Sequence, residues 1–304
     1  MTKRAFITGI GGQDGSYLAE MLLERGYEVH GLVRHSSVDN LVRIRPILDK
    51  ITLHKGDMLD INSLDKAIID AKPDEVYQLA DQDNVRWSHN LPGYQRAITY
   101  HGAVNVMEIA CRVNPAVRIF QPLSATMFDA STVPQDETTP FKPKSPYATA
   151  KASVCGMVQK LRKKQNVFVS CGIMYNHDSP RRGTGYLLQK ICQQVREGEV
   201  KLQGDLDLKV DIGYAPEYMD AAWRMLQLND PDDFVIATGL GYSIATLIAH
   251  AVCRVNKDIL CSRGDAEEFP NEPTLIGNPA KANRVLDWRA TTVGPMVIDK
   301  ILEA

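Results

Sequence analysis

Ala5-Phe-Ile-Thr-Gly-Ile-Gly-Gly-Gln-Asp-Gly15 begins as a short apolar strand, breaks at Gly9 and ends where a helical pattern starts. From Ser16, the apolar residues Leu18, Met21, Leu22 and Leu23 recur around a charged face that stops at Gly26, and Glu28-Val-His-Gly-Leu-Val33 reads as a second strand. Strand, glycine turn, helix and strand in about 30 residues describe a dinucleotide-binding unit. Gly9, Gly12 and Gly15 let the backbone pass close to a pyrophosphate seated on the positive end of the helix, and Gln13 and Asp14 lie inside the same turn. The spacing is Gly-x-x-Gly-x-x-Gly, not the commoner Gly-x-Gly-x-x-Gly, so the flanking elements give the motif its weight.

The residues after the second strand separate the two nicotinamide dinucleotides. An acid there would hold the ribose hydroxyls of NAD and repel a 2′-phosphate. This chain instead offers Arg34-His-Ser-Ser37, with Arg43 and Arg45 beyond, so Arg34 and Ser36 predict NADP in preference to NAD.

The alternation continues. Ile51-Thr-Leu-His54 predicts a third strand ending in Lys55-Gly-Asp57-Met58, where Asp57 is placed to receive an adenine amino group. A helix is expected over Asp60 to Ala71, with Leu59, Leu64, Ala67 and Ile68 on its apolar face. Glu75 to Ala80 reads as strand four, about Tyr94 to Val113 as one helix, and Val117 to Gln121 as strand five. Alternation of this kind predicts an α/β fold, a doubly wound parallel Rossmann sheet joined to a smaller C-terminal substrate-binding α/β domain. The expected dinucleotide domain covers 1–172 with a returning segment at about 213–240; 173–212 and 241–304 form the second. Ligands should bind beyond the carboxyl ends of the strands, where Leu79, Ala80, Asn84, Ser124 and Tyr147 would meet.

Ser145-Pro-Tyr-Ala-Thr-Ala-Lys151 puts Tyr147 and Lys151 on one face of a helix starting near Pro146. An ammonium about 4 Å from a phenol is worth about 4 kcal/mol at an effective dielectric of about 20. At about 1.4 kcal/mol per pKa unit, that would bring a tyrosine from about 10 toward neutrality. Such a phenol could take a proton from a sugar hydroxyl as a hydride leaves the same carbon.

Composition narrows the class. With 304 residues, 44% of them hydrophobic, and a net charge of −2, nothing points to nucleic acid or a membrane surface. Leu161-Arg-Lys-Lys164 reads as a solvated helix face, and no apolar run reaches the length of a membrane span. Met1-Thr-Lys-Arg4 runs directly into the first strand, which with six cysteines lacking any CxxC spacing predicts a cytoplasmic chain with reduced thiols. The seven histidines are dispersed, so no metal site is expected.

Together these motifs resemble the extended short-chain dehydrogenase/reductase family, and within it the GDP-mannose 4,6-dehydratase subgroup. The resemblance runs over most of the chain, through Ile7 to Glu20, Pro140-Phe-Lys-Pro-Lys-Ser-Pro-Tyr147, Asn176-His-Asp-Ser-Pro-Arg-Arg-Gly183 and Asp233-Phe-Val-Ile-Ala-Thr-Gly239. It implies NADP, a nucleotide diphosphate sugar (GDP-linked) and oxidation at C4. It assigns Ser124 to bond the C4 oxygen, Tyr147 to take its proton and Lys151 to hold the ribose and the phenolate. Asn176 resembles the substrate-contacting asparagine, with Asn84, Arg181, Arg182 and Lys190 as further substrate-binding candidates. A homodimer or homotetramer is likewise implied.

The departures concern the second half of the chemistry. The dehydratases place a glutamate two residues after the catalytic hydroxyl, to remove the C5 proton so that water leaves from C6. Here that position is Thr126, or Met127 on a one-residue shift, and neither is a base. Asp129 falls farther along as a possible substitute. Ser-Ala-Thr is instead similar to sugar 4-epimerases. Leu79-Ala-Asp-Gln82 brings the Asp81 carboxylate where the family has a small residue, and Val210 and Phe269 stand where it has arginines. Three readings stay open: a C4 oxidoreductase on a nucleotide sugar (4-ketosugar reductase or 4-epimerase if elimination is lost), an NADP-binding sensor or partner subunit, or the same chemistry on another substrate.

Overall fold

A computed structural model describes residues 2–202, 204–255, 259–263 and 274–304; Phe269 lies outside them. In chain order the elements are β1 (Arg4–Thr8), α1 (Gln13–Glu24), β2 (Glu28–Val33), β3 (Ile51–Lys55), α2 (Ile61–Ala71), β4 (Glu75–Gln78), α3 (Val85–Asn90), α4 (Pro92–Arg96), α5 (Ala103–Val113), β5 (Arg118–Ser124), α6 (Pro146–Gln165) and β6 (Phe168–Met174). There follow β7 (Asn176–Asp178), α7 (Leu187–Glu197), β8 (Glu199–Leu202), β9 (Lys209–Val210), β10 (Ile212–Tyr214), α8 (Ala215–Met225), β11 (Asp233–Ile236), β12 (Tyr242–Ser243), α9 (Ile244–Val255), β13 (Leu260–Arg263), α10 (Ala280–Val285) and α11 (Pro295–Leu302).

Seven strands form the parallel central sheet in the order β11-β6-β5-β4-β1-β2-β3. The chain walks outward from β1 through β2 to β3, then returns to β4 on the other side of β1. That reversal leaves the switch point between β1 and β4, where ligands bind in sheets of this kind. Buried Phe6, Ile7, Val76, Tyr77, Ile119 and Phe120 fill the central strands, as expected for a sheet covered on both faces.

Two compact units emerge from the packing. The first is Met1–Asp129, Pro140–Ile173 and Met219–Phe234; the second is Ala130–Thr139, Met174–Tyr218 and Val235–Ala304. In the second unit the short pairs β7·β10, β9·β12 and β8·β13 accompany a helical core. Leu188, Ile191 and Val195 of α7, Leu247 and Ala251 of α9, and Val297, Ile298 and Ile301 of α11 belong to one buried cluster.

The structure differs from the sequence reading at several places in the first unit: α1 begins at Gln13 rather than Ser16, β5 runs Arg118–Ser124 rather than Val117 to Gln121, and three further differences are local. Asp60 accepts from the Asn62 amide as the cap of α2, so Leu59 lies ahead of the helix and is 50% exposed rather than on its apolar face. Strand four stops at Gln78 instead of Ala80, because the Ala80 amide turns to the Thr8 hydroxyl. The single helix expected over Tyr94 to Val113 is divided by a π-helical turn, Ala97–Gly102. Among the described residues no helix is long and apolar enough to cross a membrane.

Candidate active site

The glycine turn is built by close backbone approach. Gly9 adopts φ +71°, and a Cβ there would stand 2.8 Å from the Ala80 amide nitrogen; at Gly15 it would meet Gly9 O at 2.4 Å. Gly12 caps α1 without a side-chain acceptor, so the positive helix end faces the turn. Gln13 Nε2 donates to Asp14 Oδ1 at 2.9 Å, tying those two candidates to each other. The Leu79 amide donates to Thr8 O at 3.2 Å, which sets Leu79 and Ala80 beside the end of β1.

The loop after β2 folds over this turn. Asn40 Nδ2 donates to Arg34 O at 3.0 Å, and Ser36 Oγ accepts from the Val38 amide. The Arg34 side chain extends from an exposed position. Its two companions are engaged elsewhere: Arg43 Nη1 donates to Gly11 O at 3.3 Å, and Arg45 pairs with Asp39. Asp57 receives the Leu59 amide on Oδ1 at 2.9 Å, and Met58 is buried.

Ser124 ends β5, and Tyr147 and Lys151 lie in the first turns of α6, whose cap is Ser145 accepting from the Ala148 amide. All three converge. The Ser124 hydroxyl adjoins the Tyr147 phenol and acts to lower its pKa, and it approaches Thr126 Oγ1 at 2.9 Å. Lys151 Nζ stands 5.7 Å from the centre of the Tyr147 ring and donates to Pro122 O at 2.9 Å.

Lys151 is not, however, reserved for the phenol. Its ammonium lies 2.7 Å from Asp81 Oδ2, with side-chain exposures of 5% and 13% for the two residues. The Lys151 pKa is raised: burial works to lower it, and the carboxylate of Asp81 and the phenol outweigh burial. The phenol behaves opposite to the sequence expectation. Burial pushes it up and Lys151 pulls it down, but Asp81 and Asp83 oppose Lys151, leaving Tyr147 at about 12. The four-residue spacing showed the lysine but not the carboxylate that claims it.

Asp81 is itself held. Its Oδ1 accepts from the Gln82 amide at 2.8 Å and from the Thr99 hydroxyl. Gln95 Nε2 donates to Thr99 Oγ1 at 2.6 Å, and Gln82 Nε2 donates to Gln95 Oε1 at 2.7 Å. Sequence reading missed Thr99 and Gln95, which sit in and before the π-helical turn inside what reads as ordinary helix. Asn84 also differs from a substrate-facing group in one respect: its Oδ1 caps α3 by accepting from the Trp87 amide at 3.1 Å.

Thr126, which the sequence reading aligns with the family's glutamate, lies in the short turn after β5. Asp129 is drawn toward Lys142, 3.7 Å away. Within the second unit, Asn176 is exposed on β7 and Lys190 exposed on α7. Arg182 lies 3.4 Å from Asp178 and stacks 3.5 Å over the Tyr186 ring, while the Arg181 amide donates to Ser179 Oγ. Val210, where the sequence reading expects the family's arginine, pairs with Tyr242 and packs on the apolar cluster.

Comparison with known proteins adds to this geometry. A family model described as GDP-mannose 4,6 dehydratase matches residues 6–301. The chain is 39% identical over 336 residues to GDP-mannose 4,6 dehydratase from Homo sapiens, covering 99% of this chain and 90% of that one. It is 36% identical over 336 residues to GDP-mannose 4,6 dehydratase 2 from Caenorhabditis elegans, covering 99% and 88%. Among solved structures, UDP-glucose 4-epimerase from Thermotoga maritima superposes with TM-score 0.88 at 20% identity, covering 98% and 97% of the two chains. The dTDP-glucose 4,6-dehydratase of Bacillus anthracis gives 0.86 at 17%, covering 99% and 96%. These structural likenesses speak for the fold.

Proposed function

The chain belongs to the GDP-mannose 4,6-dehydratase family, and from that premise we propose that it is an NADP-dependent enzyme performing oxidoreduction at C4 of a nucleotide diphosphate sugar, without the dehydration. The observation that carries this reading is the convergence of Ser124, Tyr147 and Lys151 beside Thr126, a hydroxyl where elimination needs a carboxylate. The Ser124 hydroxyl would orient the sugar oxygen at C4 by hydrogen bonding, and Tyr147 would exchange a proton with it. Thr126 has no ionised form near neutrality with which to remove a carbon-bound proton, and Asp129 leans to Lys142.

The glycine turn, with its close backbone contacts at Gly9 and Gly15 and its side-chain-free cap on α1, fits a dinucleotide pyrophosphate. Arg34 and Ser36 would receive a 2′-phosphate, and Asp57 the adenine. When bound, the nicotinamide supplies or accepts the hydride. The relatives named for GDP-mannose favour a GDP-linked sugar, with Asn84, Asn176, Arg181, Arg182 and Lys190 as the groups to bind it.

Purified protein incubated with GDP-mannose and NADP should yield no 4-keto-6-deoxy sugar, whereas a GDP-linked 4-ketosugar offered with NADPH should be reduced. Accumulation of the 4-keto-6-deoxy product overturns the exclusion of dehydration, and tighter binding of NAD than of NADP overturns the cofactor assignment.

A further inference from the structure

Asp81 brings a second acidic group into the Tyr147–Lys151 pair. We propose that Asp81 is a positioning residue: it takes up the Lys151 ammonium, so that Tyr147 rests as the protonated phenol, the proton donor that reduction of a keto group needs. This inference rests on the oxidoreductase reading above and assigns the proton state from which that site starts.

The geometry is specific. Lys151 Nζ has the Asp81 carboxylate at 2.7 Å and the Pro122 carbonyl at 2.9 Å, and the pair is almost wholly withdrawn from water. Asp81 has little freedom to swing away, because the Gln82 amide and the Thr99 hydroxyl hold its other oxygen. Thr99 is positioned by the π-helical turn and by Gln95, which Gln82 holds in turn. A single positive charge is therefore already matched by a single negative one. Ionising Tyr147 would add a second anion to a buried cation that can neutralise only one. The groups acting on the phenol are Lys151 from its own helix, Asp81 and Asp83 from the segment after β4, and the Ser124 hydroxyl at the end of β5. Burial raises the phenol most, and two carboxylates oppose the one ammonium that would bring it down.

A protonated phenol has a definite use. With a reduced nicotinamide bound to supply a hydride to the carbonyl carbon, the C=O π electrons would move to oxygen and the Tyr147 O–H would give that oxygen its proton. The ketone would be reduced to an alcohol at the expense of the reduced cofactor, and the phenolate would regain a proton from solvent. The reverse reaction needs the phenolate beforehand, which Asp81 disfavours.

The test is a spectrophotometric alkaline titration of the protein without cofactor, in which subtracting Tyr147→Phe isolates the Tyr147 phenolate absorbance. In the unmutated protein Tyr147 should stay un-ionised to above pH 10. In Asp81→Asn its midpoint should fall by about one unit or more, as expected when a charge beside an ionising group is removed. Asp81→Ala provides the same comparison should the asparagine variant fail to fold. Asp83→Asn should move the midpoint less, since Asp83 is exposed. An unchanged midpoint in the folded Asp81 variants overturns the proposal. So does a Tyr147 that titrates near neutrality in the unmutated protein. Ketosugar reduction by NADPH, measured on the same samples, separates the two levels. Absence of turnover with a shifted midpoint defeats the oxidoreductase reading and leaves the charge assignment standing. Where turnover is present, reduction should stay flat from neutral pH to about pH 10 in the unmutated protein, and in Asp81→Asn its alkaline fall should begin at lower pH, in step with the shifted midpoint; a reduction profile that Asp81→Asn leaves unmoved defeats the proton-donor assignment.

Discussion

Removing one oxygen from Tyr147 tests the site at its smallest scale. In Tyr147→Phe the ring still fills its buried place in α6, and the Lys151–Asp81 ion pair is untouched. What is lost is the O–H beside Ser124. General acid catalysis contributes about 10²–10⁴-fold, so ketosugar reduction should fall by about that factor while NADP affinity stays within a few-fold. Stopped assays of product formation and a fluorescence titration of NADPH check the two halves; unchanged turnover would remove Tyr147 from the chemistry. Residue by residue, the sequence was informative about this site but not about its electrostatics. Tyr147 and Lys151 declare themselves by four-residue spacing on a helix, and Ser124 by its place at a strand end. The Asp81 carboxylate follows β4, and Lys151 of α6 donates to Pro122 O in β5, the strand beside it, so their meeting depends on the pairing of β4 with β5. No local pattern encodes that meeting or the burial of the phenol, and the two together reverse the expected lowering.

At the scale of elements, the β1–turn–α1–β2 unit was the most legible part of the chain. Each boundary there has a local chemical signal: the apolar run before Gly9, the 3.6-residue periodicity of α1, and Gly26, which adopts φ +78° after the helix. The stretch from Tyr94 to Val113 was the least faithful. Its composition stays helical throughout, so the shift to π-helical bonding over Ala97–Gly102 leaves no mark in periodicity. The two- and three-residue strands of the second unit were equally hidden, since β7 exists only by pairing with β10, far along the chain. The glycine turn supplies a sharp test of its own element. In Gly15→Ala the new Cβ would lie 2.4 Å from Gly9 O and 2.6 Å from Ile10 Cα, both backbone atoms that cannot rotate aside. Overpacking of this kind costs about 1–3 kcal/mol, and the turn must open to relieve it. Thermal melting should show the loss of stability and NADP titration a loss of affinity of at least tenfold. Wild-type NADP affinity in the folded variant would show that the turn does not hold the cofactor.

At the scale of the whole molecule, the sheet that carries the turn has a pH-sensitive edge. β3 is the terminal strand beyond β2, and across that pair His30 Nδ1 lies 3.0 Å from His54 Nε2 while His30 Nε2 meets Glu28 Oε1 at 3.0 Å. The two imidazoles stack with centroids 5.2 Å apart. The His54 pKa is lowered from 6.5, first by burial and then by His30. Because the folded value is the lower one, the unfolded chain takes up the proton first as the solution is acidified. The contribution of His54 to stability is therefore complete above about pH 6.5, declines as pH falls from there to the folded pKa, and is constant below it. His54→Gln keeps a side chain able to hydrogen-bond His30 but has nothing to titrate. Comparing melting midpoints at pH 7.5 and pH 5.5 should show the unmutated protein losing on the order of 2 °C more than the variant. Parallel losses would assign the acid sensitivity to carboxylates elsewhere. A larger loss in the variant would mean that His54 gains stability on protonation, contrary to the burial and the neighbouring imidazole that lower its pKa.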